Sequence, residues 1–149
     1  KPSVTFIIVN MCHHMRAFPL DQRDGDRKSN VMPGTVIDTG VVDPHRFEFF
    51  LFGYASTEGT NIPCRYTILY DENKMREENI QRLTYGLGYV VATCTHSVPV
   101  VAPVYYAHLA ADRARLYLNE NCNDTSTTES STVEFTMPHD NLMNSMFFI

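Results

Sequence analysis

The apolar positions of this 149-residue chain fall into four short runs of β-branched and aromatic residues, separated by polar segments. The first run is continuous, which is typical of a strand that is buried on both faces. Polar stretches that contain glycine predict exposed loops at residues 19–30 and 56–63. The pattern therefore predicts four strands, which are residues 4–9, 36–42, 47–54 and 66–70.

After the fourth run the apolar residues recur at a helical period. Asn73 is placed to cap a helix, and Glu77 and Glu78 follow near the positive end of its dipole. A first helix is therefore predicted, and its apolar positions are Ile80, Leu83, Leu87, Val90 and Val91.

A second helix is predicted over residues 103–118. Pro103 suits a first helical turn, and the alanines, leucines and arginines that follow are strong helix formers. His108 and Arg113 are five positions apart, about 140° around a helix, which indicates separate roles. A single buried stripe is predicted from Tyr106, Leu109, Ala110 and Leu116.

The last thirty residues are compositionally distinct. Residues 119–132 are rich in Asn, Ser, Thr and Glu and predict a flexible loop, whereas the apolar residues at 143–149 predict a docked C terminus. No apolar run approaches the ~20 residues that a membrane span needs, so no membrane partner is expected. Strands followed by helices, in a chain long enough for one core, predict an α/β domain.

Charge and cysteine content narrow the function classes. The net charge is −5 and there are only three lysines, so composition alone argues against nucleic-acid binding, which needs cations. The four cysteines are widely spaced without a Cys-x-x-Cys pair, which argues against a zinc site or a disulfide scaffold and favours a reduced intracellular setting. Cys12-His13-His14 is a poor metal motif, because neighbouring residues of a strand face opposite sides.

Five blocks of sequence then point to one family. Residues 4–16 end in His-His-x-Arg, and 33–39 read Pro-Gly-Thr-Val-Ile-Asp-Thr. Phe-Glu-Phe-Phe-Leu at 47–51, the block 66–73, and Tyr-Tyr-Ala-His-Leu within 103–118 follow in order. Together they resemble the C-terminal half of the PIWI domain in eukaryotic Argonaute proteins. The resemblance implies an RNase H-like α/β fold, a mixed sheet with flanking helices, in which residues 1–149 are one part of a longer chain.

The resemblance also implies a function. It implies guide-RNA binding in RNA-mediated gene silencing, with a small guide RNA, a complementary target RNA and the rest of the Argonaute chain as partners. It implies a cytoplasmic protein, with the nucleus as the alternative location.

His108 is the residue that the resemblance connects with catalysis. It matches the histidine that completes an Asp-Glu-Asp-His set, which holds two Mg²⁺ or Mn²⁺ ions for guide-directed RNA cleavage. Magnesium prefers oxygen ligands, so one histidine cannot form the site, and the resemblance places the carboxylates upstream of Lys1. The chain alone is therefore expected to be inactive. From the residues alone, His108 is more simply interpreted as a core or packing histidine.

Four further residues match guide contacts of the family. Arg113 matches the arginine that reaches the 5′-phosphate of the guide, His14 and Arg16 match its backbone-phosphate contacts, and Tyr105 matches a tyrosine near the guide backbone. Without the resemblance, all four are ordinary surface groups. This chain is a divergent member, because basic or polar contacts common in animal Argonautes are replaced by Met11, Cys12, Tyr54, Ile62, Val91, Thr93, His96 and Pro99.

Two alternatives remain open at this point. The parent protein could be a catalytically inactive Argonaute that binds a guide and recruits partners, because the deciding carboxylates are not in this chain. Alternatively, Asp38-Thr39-Gly40 between apolar residues resembles the active-site motif of a retroviral-type aspartic protease, in which two aspartates share a proton across a dimer. The predicted helix at 103–118 fits that all-β fold poorly.

Overall fold

The structure, a computed structural model, describes residues 1–117 and 138–149. The chain divides into two compact units, Lys1–Val104 and Tyr105–Ile149. The predicted flexible loop at residues 119–132 lies outside the described residues. No helix in the described ranges has the length and apolar character that a membrane crossing requires.

The first unit is built on a four-stranded sheet. Its strands are β1 (Thr5–Asn10), β2 (Val36–Ile37), β3 (Glu48–Leu51) and β4 (Cys64–Asp71). Their spatial order is β1-β4-β3-β2, and every pairing is antiparallel. The expected α/β fold is confirmed, but the expectation of a mixed sheet is wrong for the described residues, whose strands form antiparallel pairs alone.

The expectation that the first strand is buried on both faces is wrong. Within the described residues, β1 is an edge strand whose one neighbour is β4, and its side chains alternate in exposure. Phe6 and Ile8 are 56% and 43% exposed, whereas Ile7 and Val9 pack against the core. The core covers the face of β1 that carries Ile7 and Val9, which gives this strand the alternation typical of antiparallel sheets, whereas all four residues of β3 are buried.

The core lies on that covered face. Phe49 and Tyr66 stack with ring centroids 5.2 Å apart, and Leu51 and Ile80 are fully buried beside them. Burial also raises the pKa of the neighbouring Cys64 thiol to about 11, so this cysteine is an inert packing residue.

Strand lengths differ from the sequence prediction because turn geometry intervenes. β2 spans two residues rather than residues 36–42, since the chain turns at Gly40, whose φ is +77°. β4 extends beyond the predicted 66–70 at both ends, because its full length pairs with β1 and β3. Gly34 also needs its positive φ of +90°, and a Cβ there would lie 3.4 Å from the Tyr85 ring.

The first helix, α1 (Glu77–Leu87), begins later than predicted. Its N-cap residue is Arg76, without a side-chain cap, so the expectation that Asn73 caps the helix is wrong. Lys74 adopts a positive φ of 49°, which breaks any continuous helix from residue 73. Glu77 and Glu78 do lie in the first turn, as predicted, where they oppose the positive end of the helix dipole.

The second helix, α2 (Ala102–Ala114), continues as a 3₁₀ turn at Arg115–Tyr117. The predicted buried stripe is wrong at Leu116, which is 73% exposed. The other three stripe positions, Tyr106, Leu109 and Ala110, are half-buried.

The predicted docking of the C terminus has one contact in its favour. The Phe147 ring lies edge-on to Tyr117 with centroids 6.4 Å apart. Several apolar side chains of residues 142–149 remain exposed, namely those of Leu142, Met143, Met146 and Ile149.

Candidate nucleic-acid interface

The residues predicted to contact RNA fall into two groups. His14 and Arg16 lie in the first unit, in the loop that follows β1, whereas Tyr105, His108 and Arg113 lie on α2 in the second unit. The members of each group therefore share one structural element, either the loop after β1 or the helix α2.

The loop after β1 is held by hydrogen bonds to its own backbone. The Cys12 N–H donates to Asn10 Oδ1 at 2.7 Å. Arg16 Nη1 donates to the carbonyls of His13 and Met15, at 3.2 Å and 2.6 Å. One nitrogen of Arg16 is therefore engaged within the loop, and the exposed guanidinium keeps other N–H groups for an anion. His14 is also exposed.

On α2, the predicted residues project at different angles from one continuous helix. At 100° per residue, His108 lies about 60° from Tyr105, and Arg113 about 140° from His108. His108 and Arg113 are exposed, and Tyr105 is half-buried with its ring edge-on to Tyr106 at 5.9 Å. Within the described residues His108 is not a core histidine, and Arg113 forms no salt bridge with Asp112. Glu120, the other acidic residue near Arg113 in sequence, lies outside them.

The described residues do not form a magnesium site. No three His, Cys, Asp or Glu side chains among them are grouped so that they could hold one ion. Asp112 lies one turn after His108 on the same helix and offers one carboxylate, but Mg²⁺ requires several oxygen ligands. His108 can therefore be no more than one ligand of a site completed from elsewhere.

The first unit contains an acidic cavity of about 590 Å³ that none of the predicted RNA contacts line. Asp38, Asp43, Glu48 and Glu77 border it, with His45 and Arg46. Four carboxylates against one permanent cation make this cavity unsuitable for a phosphate backbone.

Asp38, the centre of the protease alternative, lies in an exposed turn after β2. Gln81 Nε2 of α1 donates to its Oδ2 at 3.0 Å. The hydrogen bond from a helix next to the sheet gives this aspartate a local structural role.

Sequence reasoning missed an ion pair on the sheet, in which the carboxylate is buried and the guanidinium is partly exposed. Glu48 of β3 is 3% exposed, and its Oε2 accepts from Arg65 Nη2 at 2.7 Å and from the Thr67 hydroxyl at 3.2 Å. The hydrogen bond to Glu48 raises the pKa of the Arg65 guanidinium further above its ordinary value. The pairing register of β3 and β4 brings the residues together, and no sequence pattern reveals that register.

Comparison with known proteins places these features in a family. A profile of the Piwi domain matches residues 1–119. The chain therefore belongs to the Piwi-domain family.

Its relatives within that family include Argonautes. Protein argonaute 11 of Oryza sativa subsp. japonica is 50% identical over 122 residues, which are 80% of this chain and 14% of the relative. Protein argonaute 12 of the same plant is 44% identical over 132 residues, covering 88% and 13%, and protein argonaute 10 of Arabidopsis thaliana is 49% identical over 121 residues, covering 79% and 12%. The chain thus spans only 12–14% of the length of these relatives.

Solved structures agree with the fold. The C-terminal lobe of a budding yeast Argonaute matches with a TM-score of 0.83 at 32% identity, covering 99% of this chain and 31% of that one. Kluyveromyces polysporus Argonaute with a guide RNA matches with a TM-score of 0.71 at 37% identity, covering 76% and 14%. The expected fold, the C-terminal portion of a PIWI domain, is confirmed.

Proposed function

We propose that this chain supplies guide-RNA contacts to an Argonaute protein that acts in RNA-mediated gene silencing. Its membership of the Piwi-domain family is the observation that carries the proposal. The exposure of Arg113, His14 and Arg16, at the positions that the family resemblance singles out, supports it.

Arg113 is proposed to anchor the 5′-phosphate of the guide. It is a permanent cation near the end of α2, it is exposed, and no carboxylate among the described residues neutralises it. A guanidinium binds phosphate with two parallel hydrogen bonds and keeps its charge at any physiological pH. A fixed cation of this kind can hold a guide by its end, independently of the base sequence.

Arg113→Ala tests this assignment in the full-length protein that contains this sequence. Affinity for a 5′-phosphorylated guide should fall by about 1.5–3 kcal/mol, the range for hydrogen bonds to charged groups. Affinity for a 5′-hydroxyl guide should barely change. Arg113→Lys should recover only part of the loss, because a point charge does not reproduce the planar fork. The measurement is a titration of both guides at one fixed salt concentration.

Arg115→Ala is the matched control, because Arg115 is an exposed arginine in the 3₁₀ turn that follows α2. This control should leave the preference for a 5′-phosphate intact. If Arg113→Ala weakens both guides equally, Arg113 is a general backbone contact or a folding residue, and the anchor role is wrong.

His108 is proposed as one ligand of a metal site whose carboxylates come from outside the described residues. Its exposure on α2 leaves the imidazole free to be a ligand, and its angular separation from Arg113 keeps the two roles apart. Whether the parent protein cleaves RNA or only binds it depends on those carboxylates.

A further inference from the structure

His13 joins the loop after β1 to the centre of the sheet. Its Nε2 is 3.0 Å from the carbonyl of Pro63, a residue buried immediately before β4. A carbonyl can only accept, so the hydrogen of the ring lies on Nε2. The ring also packs edge-on against Phe50 of β3, with centroids 5.2 Å apart, and Phe50 is 5% exposed.

Both backbone polar groups of His13 form hydrogen bonds. Its N–H donates to the Met11 carbonyl at 3.1 Å, and its own carbonyl accepts from Arg16 Nη1 at 3.2 Å. His13 is therefore the residue through which the short turn at residues 10–13, the guanidinium of Arg16 and the sheet are all connected.

Beyond this anchor, exposure alternates residue by residue. From residue 13 to residue 20 the side chains are alternately half-buried and exposed, beginning with half-buried His13 and exposed His14. The phase of such an alternation is set by whichever residue is held against the core, and a shift by one would exchange the two sides. In this series, the side chain of His13 hydrogen-bonds to the Pro63 carbonyl and packs against Phe50 of β3.

We propose that His13 is a positioning residue, which sets the phase of this loop so that His14 and Arg16 face the guide RNA. The inference rests on the proposed function, because it assumes that His14 and Arg16 contact guide phosphates. His13 itself does not touch the RNA. Its Nδ1 is buried and carries no hydrogen when Nε2 donates to Pro63, so the ring offers no exposed donor to a phosphate.

Two substitutions distinguish the contribution of the His13 hydrogen bond from that of the ring packing. His13→Phe keeps an aromatic ring against Phe50 and removes the donor to the Pro63 carbonyl, whereas His13→Gln keeps a side-chain N–H donor. In the full-length protein that contains this sequence, His13→Phe should weaken binding of a 5′-phosphorylated single-stranded RNA about tenfold, the size of one charge-assisted hydrogen bond to a phosphate. His13→Gln should stay within about twofold of the unsubstituted protein, because it can still satisfy the buried carbonyl.

The decisive comparison repeats His13→Phe in a protein that already carries His14→Ala and Arg16→Ala. A positioning role predicts no further weakening there, since nothing remains to be positioned. It also predicts that His13→Phe alone flattens the salt dependence of binding, by about 0.7 in slope for each phosphate that the protein no longer neutralises. The melting temperature of every variant is measured alongside, so that unfolding is recognised.

The outcomes separate the two proposals. If His14→Ala with Arg16→Ala weakens binding but His13→Phe does not, the positioning role is wrong and the guide contacts stand. If His13→Phe costs as much affinity in the substituted background as in the original, or His13→Gln fails to recover binding, His13 acts on the fold in general and the proposal is overturned. If His14→Ala with Arg16→Ala leaves binding unchanged, the proposed guide contact in this loop falls, and the role of His13 falls with it.

Discussion

Single residues contribute unequally to the stability of this fold, and the pair of Glu48 and Arg65 shows why. Glu48 is 3% exposed, whereas the Arg65 side chain is 39% exposed. A charge that keeps contact with water can lose its partner at small cost, but a fully buried one cannot. The two ends of this salt bridge should therefore respond differently to substitution.

Arg65→Met leaves the Glu48 carboxylate buried with only the Thr67 hydroxyl as a donor, and should destabilise the protein by about 3–5 kcal/mol. Glu48→Gln keeps an acceptor for Arg65 and leaves no unpaired charge in the interior. It should therefore lower the free energy of unfolding by only about 1–2 kcal/mol. Urea unfolding of both variants measures the difference. Equal losses of stability would mean that the pair acts through packing rather than charge.

At the scale of elements, the junction between β4 and α1 is organised by one carboxylate. Asp71 accepts from the Thr5 hydroxyl at 2.6 Å, and from the backbone N–H groups of Asn73 and Met75 at 3.1 Å and 2.7 Å. These hydrogen bonds, that from Thr5 first, lower the pKa of Asp71 below its ordinary value of 3.8. Asp71 thus joins β1, the end of β4 and the approach to α1, a role that the sequence pattern, which indicates Asn73 as a helix cap, does not reveal.

Because the folded-state pKa of Asp71 is lowered, its contribution to stability is present above the unfolded-state pKa and is lost as pH falls through the folded-state value. Asp71→Ala should therefore reduce stability at neutral pH, and the gap to the unsubstituted protein should close below about pH 4. Unfolding curves across that range test this. Asp21→Ala, at an exposed aspartate without a side-chain cap hydrogen bond, is the control and should leave stability unchanged. A gap that persists in acid would contradict the electrostatic account.

At the scale of the whole molecule, an acidic chain is proposed to bind an acidic ligand. The net charge of −5 cannot attract RNA as a whole, so binding must depend on a few exposed cations such as Arg16 and Arg113. The metal chemistry is likewise incomplete within the described residues, which offer His108 and one nearby carboxylate. Both observations fit a chain that spans 12–14% of the length of its Argonaute relatives.

The isolated chain should therefore cleave no guide-paired RNA in Mg²⁺ or Mn²⁺, because one histidine cannot hold the ions. Robust metal-dependent cleavage by this chain alone would contradict this prediction.

In a full-length protein that cleaves, His108→Ala should reduce cleavage by more than tenfold while guide affinity changes less than about twofold. Cleavage rates and guide titrations on the same samples check this. A similar reduction in both would show that His108 is structural.

Local features of the fold were largely predictable from the sequence. The runs of β-branched and aromatic residues located all four strands, and the helical period located α1 and α2, because these patterns reflect the faces that strands and helices bury. Their ends were less predictable. Lys74 adopts its positive φ where the N–H groups of Asn73 and Met75 donate to the Asp71 carboxylate, and the apolar pattern indicates neither this turn nor the uncapped start at Arg76.

By itself, the sequence determined the family, the order of the elements and which residues are candidates for guide contacts, since each depends on residue identity and spacing along the chain. Only the tertiary structure decided that β1 is an edge strand with Phe6 exposed, that Glu48 is buried against Arg65, and that His13 reaches the Pro63 carbonyl. Each of these depends on the pairing and register of segments distant in sequence. Register is set by the packing of the whole sheet, so it cannot be read from one strand at a time.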